Sequence, residues 1–180
     1  MAQFPLLEYD QLTNPKVKQI YQEIKKELGL GMVPNLFKSM AISPNVLEAN
    51  WKKFHATILL GNIPRTLKEM LGIAISQANN SPYALKLHSH WLSGLGMSEE
   101  LLKTLGSDFS NCPLPVREKA VIRFGLLTAT NPKQLTDKDY KYLRKLGLGE
   151  AEIFEIIATA ELFTSINRYT DAISLEIDKL

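Results

Sequence analysis

The sequence predicts an all-α fold, and three observations support this. Polar caps followed by proline, and glycines that close a segment, recur along the whole 180-residue chain. No segment alternates apolar and polar residues as a half-buried strand does. The last segment carries an apolar stripe at the spacing of a core-facing helix, at Ile153, Ile156, Ile157, Ala160 and Phe163.

The first half of the chain is expected to contain five helices. Thr13-Asn-Pro opens the first of them, Gly29 closes the first, and Gly61 stands just beyond the end of the third. Ser43 and Ser81, each followed by proline, open two others. The predicted ranges, in chain order, are 13–29, 33–42, 43–60, 64–79 and 81–94.

The second half begins with a short helix that Ser98 caps and that ends at Gly106. Residues 107–115, which include two prolines and Cys112, are expected to form a loop. Three further helices are predicted over 116–130, over 136–146, and from Gly149 to near the C-terminus.

One domain is expected over residues 1–180, built either as a single unit or from two similar helical halves. Leu95-Gly-Met-Ser98 resembles the sequence that starts at Leu146, and Arg65 and Arg117 stand at similar places ahead of the preceding long helices. Duplication explains this, and so do two unrelated helix junctions that share the same cap chemistry.

Composition excludes several classes of protein. The net charge of +2, without any long run of like charges, argues against a dominant basic face and so against a nucleic-acid partner. The single cysteine excludes an intramolecular disulfide. The N-terminus lacks the pattern of a secretion signal, and the apolar runs are far shorter than the roughly 20 residues that cross a bilayer. We therefore expect a cytoplasmic protein without a membrane partner.

The helix predicted from Pro64 to Asn79 carries a candidate acid–base group. Glu69 stands within an apolar surface and shares one helical face with Gly72 and Ser76. Gly72 is expected to let another backbone approach closely, which would place the carboxylate in a narrow groove.

The next helix carries a second small-residue face, formed by Ser81, Ala84 and His88. If the two helices pack as an antiparallel hairpin, the Glu69 carboxylate meets the His88 imidazole, with the Ser81 hydroxyl as a second donor. Such a pair is suited to acid–base chemistry. We name Glu69, His88 and Ser81 as candidate catalytic residues.

A structural interpretation of the same residues stays open at this point. Glu69 is also spaced to form an ion pair with Arg65, and His88 is then a core histidine with its hydrogen bonds satisfied. His88 and His90 point to nearly opposite faces of one helix, and His55 is the only other histidine. No metal and no cofactor are therefore expected.

The segment from Arg65 to Gly96 resembles the alkyl hydroperoxidase D-like and carboxymuconolactone decarboxylase family. That family's pattern is a helix bearing Glu, then Cys-Pro-Tyr-Cys opening a helix, then His after three residues. The chain has Glu69, Ser81-Pro-Tyr-Ala84 and His88. Further resemblance to the peroxidase-related branch begins at Val33, Leu95, Leu135 and Ile166. The resemblance implies an oxidoreductase of antioxidant type, a fold of repeated helical units, a small-molecule substrate and a homo-oligomer, either a trimer or a hexamer.

The departure from the family pattern lies at its two cysteines, which are Ser81 and Ala84 here. A serine hydroxyl gains no thiolate-like reactivity at a helix N-terminus and cannot cycle through sulfenic acid or a disulfide. We expect Ser81 to cap its helix and Cys112 to be an incidental thiol, so thiol peroxidase activity should be absent.

Three functions follow. The first is a peroxidase-related protein without thiol chemistry. The second is a cysteine-independent acid–base enzyme that uses Glu69 and His88 on a small acid or lactone. The third is a non-catalytic oligomeric protein that binds a small ligand.

Overall fold

A computed structural model describes residues 3–179 of the chain, and within them it contains nine α-helices and no strand. The all-α prediction is therefore confirmed. The helices, in chain order, are α1 Pro15–Leu28, α2 Asn35–Met40, α3 Pro44–Phe54, α4 Arg65–Ala78, α5 Pro82–Gly94, α6 Glu99–Asp108, α7 Val116–Thr130, α8 Asp137–Lys145 and α9 Glu150–Ala172.

The observed helices follow the predicted ones, with two differences. The third predicted helix changes at Phe54 into a π-helical turn, His55–Leu59. α6 continues two residues beyond Gly106, because that glycine lacks the left-handed conformation that ends a helix. The predicted loop after it contains a short 3-10 turn, Phe109–Asn111.

The two similar sequence junctions have the same backbone geometry. Gly96 and Gly147 both adopt positive φ, at 87° and 82°. In each junction the next N–H donates to the carbonyl five residues earlier, which is a glycine-closed helix end. A duplicated helical unit predicts this shared geometry, and so do two unrelated junctions with the same cap chemistry. Duplication therefore stays a prediction.

The core consists of two adjoining clusters. The larger is built from α4 to α9, and the smaller from α1 to α3 together with Ile173 and Leu175 of the C-terminal tail. The α4–α5 hairpin lies where they meet, because α4 packs in the larger cluster while Tyr83 at the start of α5 packs in the smaller.

Two ion pairs bring the N-termini of α4, α7 and α9 to one end of the bundle. Nζ of Lys68, in α4, lies 2.5 Å from Glu155 Oε1, and Nη2 of Arg117, in α7, lies 2.8 Å from Glu152 Oε1. Lys68 is only 1% exposed, and its ammonium also donates to the Thr57 and Leu60 carbonyls, each at 2.7 Å. These three acceptors compensate the desolvation of the buried ammonium. Since two of them are backbone carbonyls of residues that precede α4, Lys68 anchors the turn ahead of that helix.

No helix in residues 3–179 combines the length and the apolar character needed to cross a membrane.

Candidate functional site

The Glu69 carboxylate and the His88 imidazole are in direct contact, as the sequence predicted. His88 Nδ1 lies 2.7 Å from Glu69 Oε2, and the two residues are 6% and 3% exposed. A carboxylate only accepts hydrogen bonds, so we assign the ring proton to Nδ1. Nε2 is then the basic nitrogen, and within residues 3–179 it forms no hydrogen bond.

Arg65 holds the other carboxylate oxygen. Its Nε donates to Glu69 Oε1 at 3.3 Å, one helical turn away, so the predicted ion pair forms in addition to the histidine contact. The guanidinium lies over the indole of Trp91, 3.8 Å from the ring centroid, which is a cation–π contact. Trp91 therefore serves as a packing platform for Arg65.

The histidine ring fills the space beside Gly72. A Cβ built on Gly72 would lie 2.5 Å from His88 Cε1. The ring also meets Phe163 of α9 edge-on, with the two ring centroids 4.6 Å apart. The expectation for Gly72 thus needs correction, because its missing side chain admits an imidazole rather than a second backbone. The expected groove is also filled, and the pair lies buried between α4, α5 and α9.

Ser81 does not take part in this contact. Its hydroxyl donates to Asp171 Oδ1 at 3.0 Å, and its side chain makes no capping hydrogen bond to α5. Both expectations for this hydroxyl, as a cap and as the second donor to Glu69, are therefore wrong. Asp171 follows 90 positions later in the sequence, so no local pattern marked it as the acceptor. The second donor to Glu69 is Arg65.

No thiol stands beside the acid–base pair. Ala84, one turn before His88, is buried, and Cys112 lies buried just after the 3-10 turn that follows α6. Burial raises the pKa of the Cys112 thiol, and Asp108 adds to that effect while Lys119 opposes it. Such a thiol is a poor nucleophile at neutral pH.

Two buried polar groups on α9 were not singled out from the sequence. Thr159 and Asn167 flank Phe163 by one turn on either side, and each is 1% exposed. Neither Thr159 Oγ1 nor Asn167 Nδ2 has a hydrogen-bond partner within the described residues. Asn167 does accept a weak bond from Ser76, at 3.4 Å. Thr159, Phe163 and Asn167 are spaced four residues apart and so share one helical face. This spacing is the sequence signal that could have placed the two polar residues on the buried face.

Tyr83 ties the start of α5 to the C-terminal tail. Its hydroxyl accepts from the Leu36 N–H and donates to Asp178 Oδ2 at 2.7 Å, while Asp178 Oδ1 accepts from the Asn35 N–H. Asp178 thus places a carboxylate at the N-terminus of α2, where the helix dipole favours it. Burial, and then the Asp178 charge, raise the pKa of Tyr83 strongly.

The other histidine of α5 faces away from the pair. His90 is exposed and lines a surface cavity of about 860 Å³ between α5 and α6, together with Lys86 and Lys103. The prediction that the two rings point to opposite faces is confirmed. In the part of the chain that the structure covers, no three His, Cys, Asp or Glu side chains gather in a way that would hold a metal ion.

The sequence comparisons give a limited match. No protein-family model matches the chain. An alkyl hydroperoxide reductase of Mycobacterium tuberculosis is 25% identical over 83 residues, which are 46% of this chain and 24% of that protein. The chain therefore matches about a quarter of the length of this curated relative.

Solved structures match almost the whole chain. An uncharacterized peroxidase-related protein with an alkylhydroperoxidase AhpD core, from Ralstonia eutropha JMP134, aligns with a TM-score of 0.88 and 22% identity, over 99% of this chain and 93% of that one. A cysteine-to-alanine variant of the debrominase Bmp8, in complex with 2,3,4-tribromopyrrole, aligns with a TM-score of 0.81 and 20% identity, over 99% and 92% of the two chains. The chain has the AhpD-like all-α fold, which confirms the resemblance noted in the sequence.

Proposed function

We propose that this protein is a peroxidase-related, AhpD-like protein whose site transfers protons without a thiol, acting on a small organic acid or lactone. The observation that carries the proposal is the buried 2.7 Å contact between Glu69 and His88 Nδ1, which leaves Nε2 without a partner. A carboxylate that orients one ring nitrogen prepares the other to act as a general base.

The chemistry needs only these two side chains. His88 Nε2 takes a proton from an acidic C–H bond of the substrate, and the electron pair of that bond stays on the substrate as an enolate. The imidazolium formed is stabilised by the adjacent Glu69 carboxylate. In D₂O the imidazolium exchanges its proton with the solvent, so return of a deuteron to the same carbon gives isotope exchange, and return to another atom gives an isomer.

The residues at the family's cysteine positions support a site without redox chemistry. Ala84 has no reactive group, and the Ser81 hydroxyl is occupied by Asp171. Ser81 therefore acts in this proposal as a positioning residue that fixes the start of α5. The debrominase neighbour, which binds a small halogenated ring as its cysteine-to-alanine variant, indicates that the fold serves activities other than peroxide reduction.

Deuterium exchange tests the proposal without knowledge of the physiological substrate. Purified protein is incubated in D₂O with a panel of small lactones and carboxylic acids, and loss of the C–H signal is followed by ¹H NMR. We expect exchange above the buffer rate that is retained by Cys112→Ser and lost by His88→Gln and by Glu69→Gln. Circular dichroism shows whether each variant is folded.

The control for general imidazole catalysis is His90→Gln, since His90 is exposed on the opposite face of the same helix. It should leave exchange unchanged. Exchange that survives His88→Gln, or a panel in which no compound exchanges above buffer, contradicts the proposal.

Self-association, as a trimer or a hexamer in the cytoplasm, is part of the same proposal. Four well-exposed apolar side chains stand near the end of the bundle where α4, α7 and α9 begin and α5 finishes: Leu60, Leu95, Val116 and Phe154. Phe154 is 72% exposed. Apolar side chains grouped in this way favour contact with another subunit.

A further inference from the structure

The cavity of about 860 Å³ between α5 and α6 is separate from the Glu69–His88 pair, since neither residue lines it. Pro82, at the start of α5, and Ser93, near its end, both line the cavity. They are 11 positions apart, which is about 16 Å along a helix that rises about 1.5 Å per residue. The cavity is therefore an elongated groove, and its volume lies within the range of about 300–1,000 Å³ that small-molecule sites occupy.

Two lysines face the groove without a counter-ion. Lys86 of α5 and Lys103 of α6 both line it, and in the described part of the chain neither ammonium forms an ion pair or a hydrogen bond. An ammonium group is a strong donor to an anionic oxygen. The two lysines therefore provide the groove with donors that no group of the protein occupies.

The packing of α6 against α4 brings the two lysines to the same end of the groove. A Cβ built on Gly106 would lie 3.6 Å from the side chain of Gln77, which precedes the start of α5. The end of α6 thus lies beside the start of α5, and the two helices run antiparallel. Lys103 comes about one turn before Gly106, and Lys86 comes about one turn after Pro82. The lysines consequently stand at a similar level on the two walls.

Among the described residues, one carboxylate lines the groove. Glu99 stands one turn before Lys103, toward the turn that joins α5 to α6, and forms no ion pair with it. Two lysines and one glutamate leave the lining with an excess of one positive charge. This excess matches a ligand that carries a single anionic head.

Apolar side chains line the groove beside the lysines: Pro82, Leu85, Leu102 and Ile177. Ile177 belongs to the C-terminal tail and is 47% exposed. The tail is fixed in place, because the neighbouring Asp178 accepts hydrogen bonds from the Tyr83 hydroxyl and the Asn35 N–H. A fixed apolar side chain that faces an open groove favours a ligand with an apolar body, which would remove it from water.

We propose that this groove binds an amphipathic anion, with its single anionic head between Lys86 and Lys103 and its alkyl body against Leu85 and Ile177. The inference is independent of the proposed function, since the groove contains neither Glu69 nor His88. It adds a second ligand site on the outer face of the helix that carries the histidine.

The probes are octanoate and octyl phosphate, which share an alkyl body and differ in the anionic head, and octanamide, which is uncharged. Binding to the 180-residue chain is measured by isothermal titration calorimetry at constant ionic strength, and backbone amide NMR shifts locate the bound probe. We expect at least one anion to bind at least tenfold more tightly than octanamide, with shifts in α5, α6 and the tail. The anion that binds more tightly identifies the head group.

The length of the alkyl body provides a second measurement. Each buried CH₂ group contributes up to about fourfold in affinity. Hexanoate and hexyl phosphate should therefore bind several-fold more weakly than the corresponding octyl compounds.

Variants of charged residues test the position of the head. Lys86→Gln and Lys103→Gln should each weaken binding of the anion at least threefold and leave octanamide binding unchanged. Glu99→Gln should strengthen binding of the anion, because it removes the competing carboxylate. Lys138→Gln is the matched control, because it removes one positive charge from α8, does not line the groove and should change nothing.

A variant of the tail tests the position of the alkyl body. Ile177→Ser should weaken binding of the anion and of octanamide alike, whereas Ile42→Ser, which changes an isoleucine of similar exposure outside the groove, should affect neither. The substituted side chains are all exposed, so each variant should fold as the wild type does. Urea unfolding checks this.

Equal binding of the anions and octanamide, amide shifts outside the groove, unchanged binding in either lysine variant, or no binding of any probe at millimolar concentration each overturns the inference. A lysine variant that changes the sedimentation coefficient while no probe binds assigns the groove to a contact between subunits, and also overturns it. The proposed function fails separately. His88→Gln should abolish deuterium exchange and leave binding in the groove unchanged.

Discussion

The imidazole of His88 occupies the space that a side chain at Gly72 would need. A Cβ there would lie between 2.5 and 2.7 Å from three ring atoms of His88, which Glu69 and Phe163 hold from other sides. Alanine ordinarily stabilises a helix interior by about 1 kcal/mol relative to glycine. At Gly72 we expect the opposite, a loss of about 1–3 kcal/mol from overpacking, measured as the free energy of unfolding in urea.

Gly106→Ala is the matched control. This helical glycine would place a Cβ no closer than 3.6 Å to Gln77 and Ile73, an ordinary packing distance. It should be neutral or gain up to about 1 kcal/mol. If Gly72→Ala proves as stable as Gly106→Ala, the His88 ring is not held where the structure places it.

Tyr83→Phe tests the contact between α5, α2 and the C-terminal tail. The variant leaves the Leu36 N–H without an acceptor and Asp178 Oδ2 without a donor, both in a buried place. We expect a loss of about 1–3 kcal/mol in the free energy of unfolding. An unchanged unfolding midpoint would contradict this role of the tyrosine.

The same tyrosine predicts a loss of stability at high pH. The folded pKa of Tyr83 is raised above its ordinary value of 10.0, first by burial and then by Asp178. The folded state therefore keeps a proton that the unfolded state loses, so stability is full below pH 10 and falls as the pH rises above it. Wild-type protein should lose more stability than Tyr83→Phe between pH 9 and pH 11, and parallel loss in both would contradict the prediction.

Cys112 should be neither a peroxidase nucleophile nor readily alkylated. Its raised pKa keeps the buried thiol protonated at pH 8, whereas the unfolded thiol ionises near its ordinary value of 9.0. We expect iodoacetamide to label the protein only in denaturant, and hydroperoxide reduction with dithiothreitol to match the background. Peroxidase activity that disappears in Cys112→Ser would show that this thiol is reactive.

Phe154→Asp tests self-association. A charge at this highly exposed side chain should shift the sedimentation coefficient toward that of the monomer. Phe4→Asp is the control, because the exposed Phe4 follows Gln3, which bonds to Ile173 beyond the opposite end of α9. A wild-type protein that sediments only as a monomer at micromolar concentration contradicts the proposal of an oligomer.

Local signals predicted most of the fold, and long-range partners account for what was missed. Proline, serine and glycine at helix ends act within a few residues, so the order of the helices could be predicted from them. The Glu69–His88 contact was predictable because each residue shares a face with small neighbours. The partners of Ser81 and Tyr83 lie 90 and 95 positions away. Burial of Lys68 had no sequence signal either, since lysine is rarely buried.

The most direct test of the central claim is the protonation pattern of the His88 ring, measured by long-range ¹H–¹⁵N correlation NMR at neutral pH. We predict a ring proton on Nδ1, with a hydrogen-bonded Nδ1–H signal that moves in Glu69→Gln because the carboxylate acceptor is replaced by a neutral amide. A ring proton found on Nε2 alone, or a ring spectrum that Glu69→Gln leaves unchanged, would contradict the proposed role, because Glu69 would then not prepare His88 as a base.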